Sequence, residues 1–165
     1  MPSQYKELIL PQGLVRLFFR APIWLYHHRL GGLMGFRFVL LTHTGRKSGL
    51  QRQTVLEIVR YDPLTGSCIV ASGWGNRSDW SQNILKEPQI IFQIKNRVTP
   101  GLAIRLSDDE AGRELVDYAT RHPLAMQELA RFMGYHLDGT QDDLMALGKL
   151  LPLFRFSPQS INEAS

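Results

Sequence analysis

Eleven residues, Thr42-His43-Thr44-Gly45-Arg46-Lys47-Ser48-Gly49-Leu50-Gln51-Arg52, gather three cations, two glycines and three hydroxyls between two strand-like runs. Gly45 and Gly49 permit a tight turn that exposes backbone N–H groups. Arg46, Lys47 and Arg52 bring positive charge, and Thr44 and Ser48 bring hydroxyl donors. A turn of this kind suits a phosphate or a chain of carboxylates. A solvated basic hairpin has the same composition, so the turn alone does not decide. It is not a P-loop, because Lys47 follows Arg46 where that motif requires glycine.

A second constellation is Gly73-Trp74-Gly75-Asn76-Arg77-Ser78-Asp79-Trp80-Ser81-Gln82-Asn83-Ile84. It comes after the strand-like Ser67–Ser72. Glycines after a strand and before a helix start can present N–H groups to an anion or a ring carbonyl. Trp74 and Trp80 can wall a flat ligand, or serve as core tryptophans in a structural turn. His27, His28 and His43 read as packing or surface residues, since adjacent helical histidines point about 100° apart.

These groups must be carried by a mostly antiparallel sheet. Strands are predicted at Phe36–Thr42, Gln53–Tyr61, Ser67–Ser72, Gln89–Lys95 and Val98–Leu106, with Leu153–Phe156 as a sixth. Alternation places Ile90, Phe92 and Ile94, and likewise Leu102, Ile104 and Leu106, on a covered face. Asp62–Gly66 and Lys95–Arg97 read as hairpin turns, and so short a spacing leaves no room for crossover helices. Five or six such strands curl into a small barrel.

A basic amphipathic helix is predicted from Gly13 to Arg29. Leu14, Leu17, Phe18, Ala21 and Leu25 lie on one side of it, and Arg16, Arg20 and His27 on the other. It can pack on the domain or lie in a membrane interface. Ser107-Asp108-Asp109-Glu110 is a capping box that starts a helix with Ala111, Leu115, Tyr118 and Ala119 inward. Pro123 opens the next helix, which ends at Gly134, and Thr140 with Asp143 starts a third that ends near Leu150. The class is α+β, one domain over residues 1–165.

Composition narrows the partners. Residues 1–60 hold nine Lys/Arg against two acids, while 61–165 hold ten against thirteen. Such asymmetry marks a local basic patch. No cluster of cations and aromatics, recognition helix or RNP pattern points to nucleic acid. The single Cys68 excludes a disulfide framework or a cysteine metal cluster and reads as a buried thiol. No signal peptide pattern or spanning run is seen, so a cytoplasmic protein is expected, as monomer or homodimer.

Taken in order, the T-G-R-K-S-G turn, Arg52, the strand ending Ala71-Ser72-Gly73, Trp80 with Asn83 and Pro88, and the closing Leu151–Pro158 resemble the deazaflavin-dependent nitroreductase family. These are enzymes that use coenzyme F420 on a split β-barrel. The resemblance implies that Lys47 and Arg52, with Arg46 and Ser48 beside them, hold the phosphate and polyglutamate tail. It implies that Gln53, Thr54 and Val55 run beside the deazaflavin ring, with Ser72 near its reacting end and Gly73 and Gly75 behind it. Trp80 and Asn83 match positions that are as much structural as cofactor-contacting. Ser72 is then the candidate catalytic donor to a substrate oxygen, with Tyr118, Tyr135 or His136 completing the pocket.

Closely spaced substrate-pocket tyrosines are missing around His122–Met126, and the segment from Phe132 to Leu150 is longer than in the best-known members. The resemblance therefore carries the cofactor but not the particular substrate. The implied reaction is hydride transfer from reduced F420 to a hydrophobic quinone, enone or nitro compound. An F420 carrier and an FMN-binding relative are the alternatives. Three cations at one turn suit an F420 tail better than the single phosphate of FMN.

Overall fold

The computed structural model describes residues 23–73, 77–132 and 134–159. Of the predicted N-terminal helix, only residues 23–27 fall within these limits, and they are helical. A 3-10 turn, Gly31–Met34, leads from them into the sheet.

Six strands close into a barrel: β1 (Phe38–Thr44), β2 (Gln51–Tyr61), β3 (Cys68–Ala71), β4 (Gln89–Ile94), β5 (Arg97–Arg105) and β6 (Leu153–Pro158). Around the barrel they run β1-β2-β3-β6-β5-β4, and every neighbouring pair is antiparallel. Closure removes exposed sheet edges. Beyond residues 23–27, four further helices lie among the described residues: α1 (Asp79–Lys86), α2 (Asp108–Arg121), α3 (Pro123–Phe132) and α4 (Gln141–Leu150). The expected capping box opens α2, with Ser107 Oγ accepting from the Glu110 N–H, and Thr140 caps α4 through Asp143. Gly112 of α2 and Gly148 of α4 touch so closely that a Cβ on Gly148 would collide with the Gly112 backbone.

Two apolar clusters hold these layers. Val39, Leu41, Ile58, Val70, Phe92, Phe154 and Phe156 fill the barrel, and Trp80 and Ile84 of α1 close its end. Val59, Ile69, Leu106 and Leu153 face outward, beneath Leu115, Tyr118, Leu144 and Leu147 of the C-terminal helices. Cys68 is the expected buried thiol, and burial pushes its pKa up to about 12.

β5 departs from the expected pattern. Gly101 and Ala103 are its buried positions, while Ile104 is 53% exposed. The reason is Phe92 on the paired strand: a Cβ at Gly101 would sit 2.7 Å from the Phe92 ring and against the Ser157 carbonyl. The bulky partner requires small residues inside, so Leu102 and Ile104 turn outward. Leu106 lies beyond the strand and is buried under the helices.

Candidate functional site

The Thr44–Gly49 motif turns β1 into β2 at one end of the barrel. Gly45 N–H donates to the Leu50 carbonyl and Gly49 N–H to the Gly45 carbonyl, both at 2.8 Å. Gly49 has φ +68°, a conformation glycine adopts without the cost a Cβ would add. Ser48 Oγ accepts from the Leu50 N–H at 3.3 Å, so this hydroxyl supports the turn itself.

Arg46 also belongs to the turn's support. Its backbone N–H and Nη1 each donate to Asn83 Oδ1 at 3.0 Å, and Nη1 reaches Asp79 Oδ1 at 3.2 Å. Lys86 Nζ donates to the Arg46 carbonyl at 3.1 Å. Asp79, Asn83 and Lys86 share one face of α1 at i, i+4 and i+7 spacing. Arg46, expected beside Lys47 and Arg52 at the tail, has its guanidinium Nη1 engaged by α1. Lys47 and Arg52 are exposed, and neither joins any of the ion pairs among the described residues.

Asn83 uses both ends of its amide within the protein. With Oδ1 turned to Arg46, Nδ2 donates to His43 Nδ1 at 3.1 Å. His43 must then accept at Nδ1, which puts the proton of the neutral ring on Nε2. Burial, then the nearby Arg52, lowers the His43 pKa from 6.5 to about 4, opposed by Asp79. The unfolded chain takes up this proton near pH 6.5 and the folded one resists it until about pH 4. Stability is therefore full above pH 6.5 and falls as pH drops toward 4. At about 1.4 kcal/mol per pH unit, roughly 2 kcal/mol should vanish between pH 6.5 and 5. Urea unfolding of wild type and His43→Gln over this range checks it, and equal slopes would contradict it.

Trp80 is a core residue, edge-on to Phe154 with ring centroids 5.4 Å apart. Asn83, buried on the same helix, is the residue that bonds the motif. Gly75 and Trp74 lie outside the described residues; Gly73 is half-buried after β3.

Ser72 is fully buried, and its Oγ lies 2.6 Å from Ser78 Oγ. Ser78 donates to Ser81 Oγ and Ser81 to the Ser78 carbonyl. Since Ser78 has one proton and gives it to Ser81, Ser72 is the donor in their shared bond. In this serine chain the Ser72 hydroxyl supports the loop that leads into α1. Ser72→Ala should cost about 1–3 kcal/mol in thermal unfolding, for a buried polar partner left unpaired, and change turnover by less than about tenfold. A stable variant with strongly reduced turnover would instead give Ser72 the direct role expected from the sequence.

Alternation in β2 separates the ring-side candidates. Thr54 pairs with inward Leu41 and Leu56 with Val39, so Thr54 and Leu56 face the barrel interior. Gln53 and Val55 lie on the outer face instead. Gln53 Nε2 donates to Thr42 Oγ1 at 3.1 Å, leaving Oε1 to accept from His27 Nε2 at 2.7 Å. Two residues beyond Val55, Glu57 Oε1 accepts from the Tyr118 hydroxyl at 3.3 Å. Burial, then Glu57, raises the Tyr118 pKa and keeps its hydroxyl protonated. Tyr135 packs half-buried beside the same outer cluster and His136 is exposed.

A groove of about 660 Å³ runs along this face, lined by Ile23, Trp24, His27, Thr42, Gln51, Arg52 and Gln53. Ser72, Tyr118 and Tyr135 are not among its lining residues. Trp24, His27, Thr42 and Gln51 were not legible as site residues. Trp24 is 58% exposed, and its distance from the predicted apolar stripe was the one signal for it. An apolar wall, two amides and a free guanidinium at one end suit a flat ring that carries an anionic tail.

The closed six-stranded antiparallel barrel with its packed helices is an α+β split-barrel fold. The protein resembles an F420-H2-dependent reductase (FDR-A) at 22% identity and TM-score 0.51, over 73% of this chain and 94% of that one. A protein of unknown function from Agrobacterium tumefaciens, Atu2129, matches at 17% identity and TM-score 0.54, over 94% of this chain and 60% of that one. The hypothetical protein Rv2991 of Mycobacterium tuberculosis matches at 13% and 0.50, over 95% and 86%. Residues 19–128 match the F420H(2)-dependent quinone reductase family, and the chain belongs to it. It is an F420-dependent oxidoreductase.

Proposed function

We propose that this enzyme reduces a hydrophobic quinone in the groove beside β2, with the F420 tail held at Lys47 and Arg52. The observation that carries the reading is the unpaired Arg52 lining a groove walled by Trp24 and Ile23, with exposed Lys47 on the turn five residues before it. Reduced F420 supplies a hydride when bound, and the protein supplies orientation and electrostatics. Lys47 and Arg52 bind phosphate and carboxylates through charge-assisted hydrogen bonds. Gln53, oriented by Thr42 and His27, and Val55 border the ring. Trp24 gives the substrate an aromatic wall that sheds water. Tyr118 keeps a protonated hydroxyl at the far end of the same strip.

The test is oxidation of reduced F420 by menadione, followed by absorbance, beside fluorescence titrations with F420 and FMN. Turnover with F420 and much weaker FMN binding is expected. F420 binding without turnover on any quinone, enone or nitro compound would reject the quinone. Tight FMN binding without F420 binding would overturn the site's assignment.

A further inference from the structure

The barrel end remote from the Gly45–Leu50 turn is a single surface built from three loops. Gly31 lies against the Lys95 carbonyl too closely for any Cβ. Lys95 Nζ sits 3.9 Å from the Phe36 ring centroid, and Phe36 stacks on Tyr61 at 4.6 Å. Gly32, Phe36, Tyr61, Gly66, Lys95 and Arg97 are among the residues lining one cavity of about 520 Å³ there.

What these loops hold out to solvent is apolar. Leu64 is 95% exposed, Leu33 79%, Val98 59% and Phe36 49%. Around them stand the cations Arg29, Arg37, Lys95 and Arg97. Two carboxylates stand near them: Asp62, which accepts from the Leu64 N–H and the Thr65 hydroxyl and stays charged, and Glu57, 3.7 Å from Arg37, so the four cations outnumber these two acids.

Leucines at two separate loop tips within a ring of cations match a bilayer interface, where acyl chains take the apolar tips and anionic headgroups take the charge. A second copy of this chain fits poorly, because it would bring four cations against four. We propose that this end of the barrel docks on an anionic lipid surface, with Leu33 and Leu64 entering the acyl boundary. The seven residues of β1 set the cofactor turn about 20 Å away, so Lys47 and Arg52 stay in water. No helix among the described residues is long and apolar enough to cross a membrane, so the contact is peripheral.

The experiment is co-sedimentation with vesicles of phosphatidylcholine alone, or mixed in equal parts with phosphatidylglycerol, at low and high salt. Wild type should bind the anionic vesicles and release in high salt. Leu33→Ser/Leu64→Ser and Lys95→Gln/Arg97→Gln should each lower the partition coefficient by about tenfold or more, with F420 affinity unchanged. Three outcomes would overturn the proposal: wild type that ignores anionic vesicles, both double variants sedimenting like wild type, or self-association of wild type that the leucine pair abolishes.

Discussion

Lys47→Ala/Arg52→Ala is expected to weaken F420 binding by roughly 30- to 1000-fold while leaving the fold intact. Each side chain is exposed and joins no ion pair among the described residues, so removing it breaks nothing inside the protein. A charge-assisted contact contributes about 1–2 kcal/mol, so two contribute roughly 2–4 kcal/mol, at a factor of ten per 1.4 kcal/mol. The deficit should shrink in high salt, where screening already weakens wild type. Fluorescence titration at two ionic strengths reads both effects. An unchanged dissociation constant at low salt would move the cofactor's tail away from this turn.

Arg46→Ala provides the contrast. That guanidinium bonds Asp79 and Asn83, so its loss should lower the unfolding midpoint as well as the affinity. Two neighbouring arginines or lysines of equal formal charge thus divide into one that shapes the turn and one that is free to meet an anion.

This division was beyond the reach of the sequence, and the reason is physical. Gly45, Gly49 and the flanking strands announce the turn locally, because turn chemistry is written within a few residues. Arg46's partner lies 33 residues away, and only the i, i+4, i+7 placement of Asp79, Asn83 and Lys86 hinted that one helix face awaited something. The six strands, the hairpins and both caps were legible for the same local reason. Which side of β5 faces inward was not: periodicity defines two faces, and the bulk of Phe92 on the next strand chooses between them. Ser72 was legible as the residue after a strand. Its commitment to Ser78 depends on how the following loop returns.

Asn83→Ala should show how far the cofactor site depends on a residue with no side-chain atom facing it. Asn83 is buried, accepts twice from Arg46 and donates once to His43. Truncation leaves a backbone N–H and an imidazole nitrogen without partners, at about 1–3 kcal/mol each, so a stability loss of roughly 2–6 kcal/mol is expected. The turn loses its tether to α1, and F420 affinity should fall by about 10- to 100-fold although Lys47 and Arg52 remain. Asn83→Asp separates the two halves of the network. A carboxylate still accepts from Arg46, but faces His43 Nδ1 lone pair to lone pair until the imidazole takes a proton. This variant should therefore bind F420 better near pH 6 than near pH 8, whereas Asn83→Ala should not recover on acidification. If Asn83→Ala is destabilised yet binds F420 as wild type does, the turn keeps its shape without α1. Lys47 and Arg52 would then be positioned by the β1–β2 hairpin alone.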